Sequence, residues 1–208
     1  MAARQIATGV FLLIVLGIFV VLHLPATAYV IADQGPAVVD GYRVLSLDGG
    51  SLILGYVTNN GGRVVEDVNV LVVATGADDL ISYATGAAVR ERLASGEQVP
   101  FRVFLPNIKN PTKLTLSVQA TTSEHSMVTL PVVVVRNGAV LEGFVQNTQA
   151  TAATVQVAGA FFDAAGDLVA VGVTLVGSVP AGAYALFELV PVGTVRDIVH
   201  YRIAAEAI

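Results

Sequence analysis

The chain has 208 residues, 54% apolar and 13% charged, with no cysteine, no tryptophan, a net charge of −5 and a mean hydropathy of +0.72. The lack of cysteine excludes disulfide scaffolds, thiolate metal centres and thiol nucleophiles. An acidic balance with eleven scattered Lys and Arg excludes the clustered positive charge that phosphate backbones require, so nucleic acid is not an expected partner.

In chain order, the first element is the apolar stretch Ile6 to Leu24, which contains no Asp, Glu, Lys or Arg. Helical at about 1.5 Å per residue, it spans roughly 28 Å, close to a bilayer core of about 30 Å. Residues 6–24 therefore predict one transmembrane α-helix in contact with the lipid bilayer. Arg4 and the α-amine precede it, and Asp33 and Asp40 follow it before the next base, Arg43. The positive-inside bias then puts the N-terminus in the cytoplasm and the C-terminal portion outside. Ala26-Thr27-Ala28 after Pro25 also suits a secretory peptidase. Residues 1–28 thus read either as a retained membrane anchor or as a signal segment cleaved after Ala28, which would give a secreted protein. Both readings carry the remainder across the membrane.

From residue 40 onward, short β-branched runs alternate with Gly, Asn, Asp and Pro. Ser51–Val57, Val68–Val73, Leu114–Val118 and Leu130–Val135 read as strands. Asn59-Asn60-Gly61-Gly62 and Arg136-Asn137-Gly138 supply turn residues that tolerate φ > 0. Many short strands with frequent turns predict an all-β extracytoplasmic part. Its one candidate for a short helix lies near Ala87–Leu93. The tracts Val132–Val135 and Val169–Val173 lack polar alternation, as strands buried on both faces do. They predict either packing between two halves of the chain or an apolar contact patch.

Aligned on itself, the chain repeats. Gly55-Tyr56-Val57-Thr58-Asn59 returns as Gly143-Phe144-Val145-Gln146-Asn147, and Val68-Asn69-Val70 as Val155-Gln156-Val157. Leu93, Gly96 and Phe101 return as Val179, Gly182 and Phe187, and Leu116, Val118 and Ala120 as Tyr201, Ile203 and Ala205. The offset shrinks by one residue at each step, as small deletions in loops produce. Two tandem copies are expected, at 37–122 and 128–208, joined by a linker at 123–127 that limits their independent movement.

The order glycine-aromatic-Val-x-Asn, Val-x-Val, an aromatic-Asp-x-x-Gly turn, Leu-x-x-Gly and a Phe strand resembles the FxLYD domain. That family consists of immunoglobulin-like β-sandwiches of archaeal and bacterial extracytoplasmic proteins. The second copy fits better, through Phe161-Phe162-Asp163-Ala164-Ala165-Gly166, Val179-Pro180-Ala181-Gly182 and Phe187. It departs where Gly159 stands for the leading Phe and two phenylalanines replace Leu-Tyr. The first copy reads Val73-Ala74-Thr75-Gly76 in that region and lacks the aromatic pair. The resemblance covers most of residues 45–205. It implies two tandem immunoglobulin-like β-sandwiches behind the membrane segment, and no enzymatic activity. Phe161 and Phe162 point to opposite sides of their strand, so one belongs to a core and the other to a neighbour.

Little in the chain suggests chemistry. Asp163/Asp167 and Asp78/Asp79 offer two carboxylates per loop where calcium takes about six to eight oxygens, so they read as turn-stabilising acids. His23, His125 and His200 have no partner at ligand or triad spacing. Arg90-Glu91-Arg92 reads as a solvated charged face. No phosphate loop or nucleophile elbow occurs. No catalytic, cofactor-binding or metal residue is assigned, and no cofactor is expected. With about half the charge share of roughly a quarter usual for soluble domains, the surface suits a partner. The expected function is a non-enzymatic, membrane-anchored extracytoplasmic accessory or structural subunit, contacting other membrane or envelope subunits or itself. The alternative is a secreted, self-assembling surface-filament subunit in which Tyr29–Ala32 or Ala37–Val39 adds to a neighbour's sheet edge.

Overall fold

The computed structural model describes residues 30–32 and 35–208. The expected transmembrane helix, residues 6–24, and the cleavage site at Ala28 lie outside the described residues. Among the described residues, no helix is long and apolar enough to cross a membrane.

The structure is mainly β. The first half contains β1 (Val30–Ala32), β2 (Ala37–Leu47), β3 (Gly50–Asn59), β4 (Val65–Thr75), β5 (Ile81–Ala87), β6 (Arg92–Leu93), β7 (Gln98–Pro106) and β8 (Lys113–Thr122). The second contains β9 (Val128–Leu130), β10 (Val132–Asn137), β11 (Leu141–Gln146), β12 (Ala153–Phe162), β13 (Leu168–Val179), β14 (Tyr184–Leu189), β15 (Val192–Gly193) and β16 (His200–Ala207).

Four sheets result. In the first half, one sheet has the order β1-β8-β4-β5, with β6 also on β4, and the other has the order β2-β3-β7. In the second half the corresponding sheets are β15-β13-β12-β16-β9 and β10-β11-β14. β1 runs parallel to β8, with Val30 opposite Thr115, and Ala37–Val39 pairs antiparallel with β3. Both segments proposed for donation to a neighbour are thus paired inside the chain.

Period-2 alternation decides which residues enter each core. On β4, Val68, Val70, Val72 and Ala74 are buried while Asn69, Leu71 and Val73 point outward. They join Ile53, Val57, Phe101, Val103, Leu116 and Val118 in a core between the two sheets of the first half. A second core holds Val145, Val155, Val157, Phe161, Phe187 and Leu189 between the sheets of the second half.

The repeated glycine has a packing role. Gly55 stands opposite Phe101 across β3 and β7, and Gly143 opposite Phe187 across β11 and β14. A Cβ on Gly55 would lie 2.5 Å from the Gly41 carbonyl oxygen and 2.7 Å from the Phe101 ring. On Gly143 it would lie 2.4 Å from the Val133 carbonyl oxygen and 2.7 Å from the Phe187 ring. Each phenylalanine therefore lies across a position that only glycine can fill.

One local expectation is corrected, and one pair of alternatives is divided. Ala87–Leu93 forms no helix, because its amides are engaged elsewhere: Ala88 N–H donates to Val68 O and Val89 N–H to Pro100 O, at 2.9 Å each. These bonds to neighbouring strands replace the i→i−4 bonds a helix would need. The one short helical turn described is a 3₁₀ turn at Val195–Asp197. The two unalternating valine tracts also differ. Leu168–Gly172 is buried throughout, but Val133 and Val135 are exposed, because nothing described covers the outer face of β10.

Candidate functional site

Two features of the surface stand out, a seam joining the halves and an uncovered sheet face.

The seam is a third apolar cluster. Leu52, Leu54 and Val89 of the first half meet Ala158, Ala160, Phe162, Leu168 and Val171 of the second, with Leu45, Leu47, Tyr56 and Val173 around them. The double phenylalanine explains how one strand serves two cores. Phe161 enters the core of the second half and Phe162 the seam, since adjacent side chains point to opposite faces. The His200 ring stacks on Phe162 with centroids 4.9 Å apart, and the Arg202 guanidinium lies 5.3 Å from the Phe162 centroid. Burial at the seam raises the Tyr56 phenol above its ordinary pKa, and Arg202 partly opposes this. Replacing Phe162 with leucine keeps an apolar fill but loses the stacking; unfolding in urea should show a loss of about 1–1.5 kcal/mol.

Charges close the seam at both ends. At one end, Arg43 Nη1 lies 3.2 Å from Asp167 Oδ2 and 3.7 Å from Asp163 Oδ2. Asp163 also shapes its own turn, its Oδ1 accepting from the amides of Ala165 at 3.0 Å and Asp167 at 2.9 Å, while Gly166 adopts φ 84°. The sequence reading of these acids as turn residues matches this geometry; their bridging of the halves depends on a distant arginine that spacing did not indicate. Asp78 makes the corresponding contact in the first half, accepting from the Leu80 amide at 3.4 Å.

The Asp167 amide, with that of Ala165 and Arg43, holds the Asp163 carboxyl below its ordinary pKa. A depressed acid stabilises the fold above its unfolded pKa, about 3.9, and that contribution disappears as pH falls through the lower folded value. Carboxyl-carbon NMR should therefore show Asp163 titrating below the ordinary aspartate range, and Arg43→Gln should move that titration upward.

At the other end, the Arg90-Glu91-Arg92 cluster is not a solvated face. Arg90 is 8% exposed. Its guanidinium pairs with Glu97 through Nη1 and with Glu206 Oε2 through Nη2 at 3.4 Å, and Nη2 lies 2.8 Å from Met127 Sδ. The Glu91 amide donates to Glu206 Oε1 at 2.7 Å and to Gln156 Oε1 at 2.9 Å. Arg92 spans the halves as well, Nε 3.5 Å from Glu66 Oε2 and Nη1 donating to Ala207 O at 3.4 Å. Glu206, far along the chain, draws the arginine inward because a charge leaving water needs an opposite charge and hydrogen bonds.

The linker 123–127 is fastened too. Ser123 Oγ donates to Glu66 Oε2 at 2.6 Å, and this bond, more than Arg92, holds the Glu66 carboxyl below its ordinary pKa. His125 Nδ1 lies 3.9 Å from the same carboxylate. His200 is engaged with Phe162, and His23 lies outside the described residues. Among the described residues, no group of three or more His, Asp or Glu is placed to hold a metal. A cleft of about 580 Å³ runs along the seam between Leu47, Leu52, Val89, Phe104, Val173 and Arg102.

The repeated asparagines, singled out only as motif letters, form a pair of identical clamps. Asn59 Nδ2 donates to Arg63 O at 2.7 Å and Leu93 O at 3.0 Å, while Oδ1 accepts from Gly61 N–H at 2.9 Å. Asn147 Nδ2 donates to Thr151 O and Val179 O at 2.8 Å, and its Oδ1 accepts from Gln149 N–H at 2.9 Å. Both side chains are fully buried.

The second feature is the outer face of β10-β11-β14. Val133, Phe144 and Leu186 stand side by side across the three strands, 57%, 40% and 57% exposed. Val135 and Tyr184 extend this apolar row. Glu142 and Glu188 stand opposite one another beside it, and Arg136 Nη1 binds Glu142 Oε1 at 3.0 Å. An exposed apolar row rimmed by charged residues is a pattern found at protein contact surfaces.

No protein-family model matches the chain, and no curated protein matches it.

Proposed function

We propose that the chain is a non-enzymatic accessory or structural subunit of a membrane or cell-envelope assembly, working through protein–protein contacts. In this reading residues 6–24 anchor it in the bilayer with the N-terminus in the cytoplasm. Residues 37–122 and 128–208 are two tandem immunoglobulin-like β-sandwiches, akin to FxLYD domains, held as one stiff extracytoplasmic unit by the seam. The observation that carries the proposal is the row Val133–Phe144–Leu186, three apolar side chains exposed side by side across three strands, as at protein contact surfaces. The charged residues support the same reading. Arg43, Arg90, Arg92, Asp163 and Glu206 all serve packing between the halves.

The test is site-specific photocrosslinking of the full chain in native membranes, with a photoreactive residue at Leu186 and a control at Lys109, which is exposed on a distant loop. Discrete heavier adducts from Leu186 alone are expected. A protein that forms none and remains a monomer after detergent extraction, by native mass, would overturn the proposal.

A further inference from the structure

We infer that a second copy of this chain occupies the uncovered face of the second half, bound head to tail through the outer face of β4-β5-β8 in its first half. The inference rests on the proposed contact function and names the partner for the Val133–Phe144–Leu186 face.

The chain carries the pattern for this contact within itself. Tyr56 and Pro100, paired across β3 and β7, correspond to Phe144 and Leu186, paired across β11 and β14. In the first half, that sheet face is covered by the outer face of β12 and β13, and Tyr56 packs into the seam. In the second half, no described residue covers the corresponding face. The covering surface has an uncovered counterpart as well. Ala160 and Val171, paired across β12 and β13 and turned toward the seam, correspond to Val73 and Tyr83, paired across β4 and β5. Tyr83 is 76% exposed, and Ile81 beside it is exposed too. Among the described residues, the chain thus leaves bare at its two halves the faces that, between the halves, pack against each other.

Charge selects head-to-tail over face-to-face pairing. On one face Arg136 offsets Glu142 and leaves Glu188 as net negative charge, whereas Lys113, opposite Thr75, lies on the other. Two copies joined through the β10-β11-β14 face would bring two net negative surfaces together, where like charges repel. A heterologous contact between different faces has no twofold closure, so it extends beyond a dimer into rings or linear chains.

The natural chain contains no cysteine, so introduced cysteines report contacts without background. Full-length Leu186→Cys and Tyr83→Cys chains, differently tagged and co-expressed in native membranes, should form a mixed disulfide dimer on mild oxidation. A chain carrying both changes should give a ladder of multimers, reduced tenfold or more by adding Phe144→Glu. Circular dichroism and unfolding midpoints like those of the natural chain establish that each variant folds. A Leu186→Cys homodimer without the mixed dimer overturns the inference in favour of face-to-face pairing. Neither dimer, together with Leu186 photoadducts to a different protein, overturns self-association and leaves the accessory-subunit reading standing. Neither dimer and no photoadduct overturns both.

Discussion

Asn147→Ala should lower the stability of the protein by about 3–4 kcal/mol in equilibrium urea unfolding, and Asn59→Ala by a similar amount. Each asparagine closes three bonds from a fully buried side chain. Alanine leaves two carbonyls and one amide without that partner. An orphaned buried polar group costs about 1–3 kcal/mol, so three would cost about 3–9 kcal/mol, and the part-buried ones regain hydrogen bonding from water, which places the sum at the low end of that range. The backbone clasps the same loop: Asn147 N–H donates to Ala183 O at 3.0 Å, and Gly182 N–H to Asn147 O at 2.8 Å. Losing the side chain therefore loosens the point where β11, the 147–152 loop and the end of β13 meet. Asn147→Asp keeps the acceptor but removes both donors and sets a carboxylate against two carbonyls, so it should destabilise at least as much as alanine. A loss under 1 kcal/mol in both alanine variants would show that the clamps are dispensable.

Arg90→Ala should cost about 3–5 kcal/mol, because it leaves Glu206, 1% exposed, as a buried carboxylate without its counterion. The Glu91 amide alone does not replace a guanidinium. The effect should be local to the seam, so thermal unfolding of the variant should divide into two transitions where the natural chain shows one, as the halves uncouple. The double change Arg90→Met with Glu206→Leu removes both charges and fills the space with apolar volume. It should recover most of the loss, since a buried pair is often replaceable by apolar side chains of similar size. If the double variant is as unstable as Arg90→Ala, the unpaired charge is not the cause of the loss.

Much of this structure was legible in the residues. Alternating valines and turn glycines marked β3, β4 and β8, because strand formation and hairpin reversal depend on nearest neighbours and on local φ preferences; the run Leu130–Val135, read as one strand, divides at Pro131 between β9 and β10. The paired phenylalanines announced two destinations for adjacent side chains. The repeat letters Gly-aromatic-Val-x-Asn were visible, but not their use: the glycine makes room for a ring one strand away, and the asparagine binds carbonyls both four residues and more than thirty residues ahead. Arg90-Glu91-Arg92 misled for the same reason. Charged residues in a short run resemble a solvated surface until a distant Glu206 and Glu97 draw one of them inward. Val132–Val135 and Val169–Val173 looked alike in sequence, and each took a different one of the two readings open to them: the second tract packs between the halves, while Val133 and Val135 stay exposed as an apolar patch.

By itself the sequence determined the β character, the turns, the tandem letters and the low charge, all of them properties of local backbone preference and composition. Only the tertiary structure decided which apolar strand faces are shared and which stay bare, because that depends on residues far apart in the chain meeting across a seam. Phe162 is covered and Phe144 is not, although both are phenylalanines on outward strand positions. The difference lies in which sheet packs against each.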